Sequence, residues 1–194
     1  LATSKHETAA GHAPAAAQNL LWAAAWAHER FRNEAARKHL FDAAALLRED
    51  EGSLRYNIHI LLGEVDLALV RSDAAIESYQ SALHDSVVLD DKGLGAGAYI
   101  GLGKAYGLGG DFGHSAEMMR RARGLYQEVD DSEGVALALD ELGNAIWMRR
   151  GPEAYPEALS CFMKALSIRR TLSDKSLLAG SLKSLARIHL GNGY

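Results

Sequence analysis

Apolar residues along the chain recur three and four positions apart, and strict two-residue alternation is almost absent. That periodicity marks amphipathic helices packed by one face and leaves little room for strands. Short acidic breaks interrupt it: "REDEGS" at Arg48 to Ser53, "LDDKG" at Leu89 to Gly93, "VDDSEG" at Val129 to Gly134 and "LSDKS" at Leu172 to Ser176. Within them Asp50, Asp90, Asp130 and Asp174 stand 40, 40 and 44 residues apart, and each interval holds two helical segments. The spacing predicts helices over 14–30, 33–49, 53–70, 73–89, 93–109, 112–129, 132–150, 153–172 and 174–190. Local signals support these ends: Asp130 followed by Glu133 reads as a capping box, Asp111 as a helix start, and Gly110 and Gly191 as stops. The stretch "RGPEAYP" adds about three residues to one turn and accounts for the long interval. Its Pro152 and Pro156 fall near a helix start, where a missing N–H is harmless.

Self-similarity at a fixed step points to stacked two-helix units. "LLGEVDLALVRSDAAIESYQSAL", "GLGKAYGLGGDFGHSAEMMRRAR", "ELGNAIWMRRGPEAYPEALSCFMKAL" and "SLARIHLGNGY" line up. "LLWAAAWAHERFRNEAARKHLFDAAAL" has the same outline, with Ala24 where the others carry Gly or Ala. These pieces resemble the tetratricopeptide repeat (TPR), with L-G-x2-Y in a first helix, then A-x3-F and a later Ala in a second. Leu102-Gly103-Lys104-Ala105-Tyr106 matches the first motif, Leu142-Gly143 with Ile146 matches it aliphatically, and Leu62-Gly63 keeps the pair with Asp66 in the aromatic place. Ala75, Tyr79 and Ala82 fit the second motif, as do Ala158, Phe162 and Ala165; Ser115, Met119 and Ala122 form a weaker version. In this scheme the small residues let the helices of a hairpin approach, and the aromatic fills the gap between neighbours.

The resemblance covers about Ala15 to Tyr194. It implies an all-α fold, an α-solenoid of antiparallel helix hairpins wound as a TPR-like right-handed superhelix. Residues 14–194 are then the repeat domain, with repeats at 14–50, 53–90, 93–130 and 132–173 and a final helix at 174–190, and 1–13 a disordered or trimmed edge. A step of 40 in place of about 34, and acidic turns in place of the usual Pro, resemble the longer repeats of kinesin light chains and spindle-orientation adaptors. They are also similar to the regulatory repeats of bacterial transcription activators and peptide-pheromone receptors. All of these are interaction modules, so the resemblance implies binding rather than catalysis.

In such a stack the first helices line the concave side, where extended partners lie. The helical period turns Asn57, Ile60, Glu64 and Leu67 toward that groove, then Ile100, Lys104 and Leu108, then Asp140, Asn144 and Trp147, then Lys183, Arg187 and Leu190. The candidate partner-binding residues are Asn57, Glu64, Lys104, Asp140, Asn144, Trp147, Lys183 and Arg187. Asn144 offers an amide to a peptide backbone and Trp147 an apolar anchor. In the related adaptors a groove Asn in the same L-G-N setting clamps the backbone. The resemblance implies that role for Asn144 alone, since the other repeats carry Ala25, Glu64, Lys104 and Arg187 there. No second helix follows 174–190, which is therefore a cap or the opening of a further repeat; Leu177, Leu178, Leu182 and Leu185 would tolerate another helix or self-association.

Composition narrows the functional classes. The 194 residues carry a net charge of −4, which argues against a duplex-binding face. A single cysteine, Cys161, excludes an internal disulfide framework and fits a reducing compartment. "LLWAAAWA" is broken by His28, Glu29 and Arg30 before it could span a bilayer. The glycine-rich "GLGAGAYIGLGKAYGLGGDFG" contains "GLGK", but a phosphate-binding G-x4-G-K-[ST] would need Gly at Ala98 and a hydroxyl at Ala105. Read as a helix instead, its interior glycines predict that 93–109 is the softest inner helix. Neither "HE" pair continues as H-E-x-x-H, Cys161 beside Phe162 reads as a small buried hydrophobe, and no Ser, His and Asp combination stands out. The pairs Arg120-Arg121, Arg149-Arg150 and Arg169-Arg170 are open to two readings, an anion or nucleic-acid patch and, for two of them in final helix turns, cations offsetting the helix dipole; the net charge favours the second. The expectation is a protein- or peptide-binding scaffold with no catalytic residue, metal or cofactor, no direct nucleic-acid contact and no membrane contact, in a cytoplasmic adaptor or signalling regulator. The alternative is a structural self-association module working through the terminal helix.

Overall fold

The structure, a computed structural model, describes the backbone of residues 2–151, 153–172 and 175–191, and their side chains apart from 2–11 and 175–177. Among the described residues there are nine helices and no strand. They fall into two compact units, residues 1–91 and 92–194. The first holds α1 (Ala2–Glu29), α2 (Asn33–Ala44), α3 (Gly52–Ala68) and α4 (Ser72–Val88). The second holds α5 (Lys92–Leu108), α6 (Phe112–Glu128), α7 (Ser132–Arg149), α8 (Ala154–Leu172) and α9 (Lys175–Gly191). Within each unit consecutive helices pack as hairpins: α1 on α2 and α3 on α4, then α5 on α6 and α7 on α8, with α9 laid on α8.

From α2 onward every start lies within one residue of its expected position. Two bounds differ. The first helix begins at Ala2 and carries Pro14 inside it, where a start at 14 was expected. The second stops at Ala44 rather than 49, because Leu46 and Leu47 donate to the Ala43 and Ala44 carbonyls and tighten the chain into a turn.

The regular stops have one cause. Val70, Asp90, Gly110, Asp130 and Arg150 each have positive φ and follow one another at steps of 20 residues; Phe31 does the same after α1. After the first four of these, and after Phe31, the next N–H closes back on a carbonyl of the last turn, as Arg71 does on Asp66 and Asp131 on Tyr126, both at 2.9 Å. This left-handed cap satisfies orphan carbonyls and ends the helix. It also moves one cap by a residue. Asp130 sits in the left-handed region, which an N-cap does not adopt, so Asp131 caps α7 by accepting the Gly134 N–H at 2.9 Å. Asp111 caps α6 as expected, accepting the His114 N–H at 3.0 Å.

The L-G pairs are explained by contact inside each hairpin. A Cβ on Gly63 would lie 2.6 Å from the Tyr79 ring, and one on Gly143 would lie 2.8 Å from the Phe162 ring. The aromatic thus presses on the first-helix backbone of its own hairpin, not into the gap between neighbours. Ala24 and Leu40, at the corresponding places of the first hairpin, are both fully buried. The core of residues 1–91 gathers Leu21, Leu40, Ile58, Leu62 and Val65. In residues 92–194, Met119, Leu142, Ile146, Phe162 and Ile188 do the same.

Three buried carboxylates stitch helices together. Arg37 on α2 donates to Asp66 on α3 at 2.6 Å. Arg55 on α3 reaches Asp85 on α4 at 3.2 Å, and His59 Nδ1 lies 2.6 Å from the same carboxylate. Arg169 on α8 pairs with Asp140 on α7 and meets Ser181 of α9. Arg169 is therefore no helix-end surface cation; it is turned inward and almost fully buried. Burial pushes the Asp140 carboxyl above the usual carboxylate range, against the pull of the guanidinium.

Candidate functional site

In residues 92–194 the first helices α5 and α7 flank an open cleft of about 270 Å³. Its α5 wall is Gly103, Lys104 and Gly107; the two glycines face α6, where a Cβ would meet Met119 and Ser115, and Lys104 supplies the wall's side chain. The α7 wall presents Glu141, Asn144 and Met148, which share one face because they are three and four residues apart. Phe112 and Met119 of α6 form an apolar floor.

Polar groups from three helices meet over this floor. Lys104 Nζ lies 3.6 Å from Glu141 Oε1, and Asn144 Nδ2 donates to Glu141 Oε2 at 3.3 Å. From α9, Arg187 donates to Asn144 Oδ1. Both ends of the Asn144 amide are thus oriented, while one N–H and one carbonyl lone pair remain for a ligand. A peptide bond needs that donor–acceptor pair, and the half-exposed Lys104 adds a movable cation beside it.

The expected groove residues divide accordingly. Lys104, Asn144 and Arg187 come together, joined by Glu141. Lys183 is exposed on α9, and Asn57 and Glu64 are exposed on α3 in residues 1–91. Asp140 does not reach the groove surface: its carboxylate is committed to Arg169. Trp147 is packed, its ring edge-on to Tyr155 with centroids 6.3 Å apart and its indole close against Gly191. Ile100 is a core residue. Glu141 and Met148 were missed, although both lie one helical turn from Asn144 on the same face, a spacing that could have found them. Phe112 and Met119 carry no such signal, because only the hairpin's crossing exposes them to the cleft.

Among the described residues no group of three or more His, Cys, Asp or Glu side chains is placed to hold a metal ion. Burial pushes the Cys161 thiol up, as for an inert packed cysteine. No helix of the described residues is long and apolar enough to cross a membrane.

Comparison with known proteins now bears on the fold. No protein-family model matches the sequence, and no curated protein does. Solved structures do match. The TPR-like repeats of a putative kinesin light chain from Podosopora anserina superpose with TM-score 0.74 at 17% identity, over 93% of this chain and 88% of that one. The chain has a TPR-like repeat fold. The apo form of RapI matches with TM-score 0.76 at 14% identity over 87% of this chain, which spans 46% of RapI. BtubC (BKLC) from P. vanneervenii matches over 100% of this chain and 94% of its own, with TM-score 0.61 and 17% identity. The fold class is therefore all-α, a TPR-like solenoid of antiparallel hairpins. At these identities the likeness carries the fold alone, and function has to be argued from the cleft.

Proposed function

We propose that this TPR-like repeat protein is a non-catalytic scaffold that binds an extended protein segment on its first-helix face, within a cytoplasmic adaptor or signalling regulator. One observation carries the reading. Lys104, Glu141, Asn144 and Arg187, drawn from α5, α7 and α9, converge over an open apolar-floored cleft and hold an amide with unused hydrogen-bonding capacity. Kinesin-light-chain repeats share the architecture, which fits binding rather than chemistry. In residues 1–91, taken by themselves, Asn57 and Glu64 on α3 would offer a surface of the same kind, and Lys183 on α9 would add to the one in residues 92–194.

Display selection of random peptides on the intact chain tests this. Selected peptides should lose at least about tenfold in affinity for Lys104→Ala/Asn144→Ala, the scale of losing a central polar anchor. Peptides that bind the double variant as well as the parent would refute the cleft. A second reading rests on α9, where Leu182 and Leu190 are 52% and 77% exposed. These residues could pair copies of the chain through the terminal helix. Light scattering with and without residues 174–194 decides it: a monomer in both cases removes self-association.

A further inference from the structure

Residues 92–194 carry another crevice, which shares no lining residue with the cleft at Lys104. The second helices α6 and α8 form its walls and the first turns of α7 its floor. Two lobes meet at Gln127, Val135 and Ile168. One, of about 450 Å³, is bounded by Arg123, Lys164 and Ser167. The other, of about 320 Å³, is bounded by Tyr126, Asp130 and Asp131.

The two lobes have opposite charge, and the cationic one is not neutralised from within. Nearby arginines have acidic partners: Arg120 with Glu157, Arg121 with Glu117 and Arg169 with Asp140. Among the described residues no acid pairs with Arg123 or Lys164, and the Arg123 Nε is buried without a hydrogen-bond partner. A buried guanidinium N–H left unpaired costs free energy, and no acid pairs with the rest of the Arg123 fork among the described residues. Beneath the two cations Val135 and Leu139 are apolar and buried. In the other lobe Asp131 spends one oxygen capping α7, and the acidic pair there repels a second anion.

We propose that this crevice is a second binding site, taking one carboxylate side chain of an extended peptide at Arg123 and Lys164 and seating the adjoining apolar side chain on Val135 and Ile168. A carboxylate matches the planar guanidinium, while the Gln127 amide and Ser167 hydroxyl are placed to meet peptide backbone. A phosphate group fits less well, because a dianion would gain few donors from the apolar floor and would face Asp130 and Asp131.

The test uses acetyl-Leu-Glu-Leu-amide titrated into the isotopically labelled chain, followed by amide chemical shifts. Saturable shifts are expected at Gln127, Val135, Ser167 and Ile168. The Gln analogue of the peptide should bind at least about fivefold more weakly, and Arg123→Gln/Lys164→Gln should weaken the Glu peptide at least about tenfold. Lys164→Gln alone, at an exposed position, guards against a folding defect and should lose part of that affinity. Lys104→Ala/Asn144→Ala should leave it unchanged, which separates this site from the first-helix cleft. Equal binding of the Gln peptide, shifts confined to the Lys104 cleft, or no saturable shift at about 10 mM peptide each overturn the proposal.

Discussion

Replacing Arg169 with methionine probes the interior of residues 92–194 most directly. Arg169 is 5% exposed and Asp140 9%, and among the described residues Ser181 is the side chain that hydrogen-bonds to both. Asp140 Oδ1 already lacks a partner, so Arg169→Met would leave the carboxylate with the Ser181 hydroxyl at 3.4 Å and little else. Breaking a buried pair from one side costs about 3–5 kcal/mol, because the surviving charge stays desolvated. That is a large share of the roughly 5–15 kcal/mol by which domains are stable. Replacing both partners, Asp140→Leu/Arg169→Met, removes the stranded charge and should return stability to within about 1–2 kcal/mol of the parent. Urea unfolding followed by far-ultraviolet circular dichroism measures both variants against the parent.

The variant also carries a pH signature. Burial raises the Asp140 carboxyl in the folded state, and losing Arg169 removes the pull that opposed it. A folded pKa above the unfolded one means that the native state binds more protons, so stability rises as pH falls through the folded value. Arg169→Met should therefore regain stability, relative to the parent, as pH falls from neutrality toward the ordinary carboxylate range. Arg169→Met/Asp140→Asn should not. A cost below about 1 kcal/mol, the range of an exposed pair, would refute the reasoning. So would a relative loss of stability on acidification.

Three other outcomes are expected. Val70 is β-branched, 72% exposed and held at φ 59°, where a Cβ costs about 1–2 kcal/mol. Val70→Gly should therefore raise the melting temperature by a few degrees, after about 0.5–1 kcal/mol is returned to the unfolded chain's entropy. Hydrogen exchange should find α5 the least protected inner helix, since each interior glycine weakens it by about 1 kcal/mol relative to alanine; finding it the best protected would contradict that. Cys161 should react with a thiol reagent far more slowly in the native chain than in urea at pH 8, because burial both covers the thiol and disfavours its thiolate. Equal rates would show the thiol to be open.

Much of the architecture was legible because its causes are local. The starts of α6 and α7 follow the capping residues Asp111 and Asp131, and the stops of α3 to α7 follow left-handed residues at steps of 20. The L-G pairs were legible for a similar reason: a first helix pressed by an aromatic tolerates only the smallest residue at Gly63 and Gly143. The cleft was legible in part. Lys104 and Asn144 could be placed on one side of their helices by period alone, but Asp140 and Trp147 obey the same period and are turned inward.

What the amino-acid order determined by itself was therefore the number, spacing and ends of the helices, and the pairing of consecutive helices into hairpins. These depend on hydrogen bonds and side chains within a turn or two of each other. Only the tertiary structure decided which polar residues are spent on the inside and which are left to meet a partner. Asp140 becomes interior because α8 brings Arg169 onto it, whereas Asn144 lines the cleft between α5 and α7. The crevice at Arg123 and Lys164 likewise exists only where α6, α7 and α8 pack together. A helical period says which face a residue occupies; the neighbouring helix's crossing says whether that face is covered.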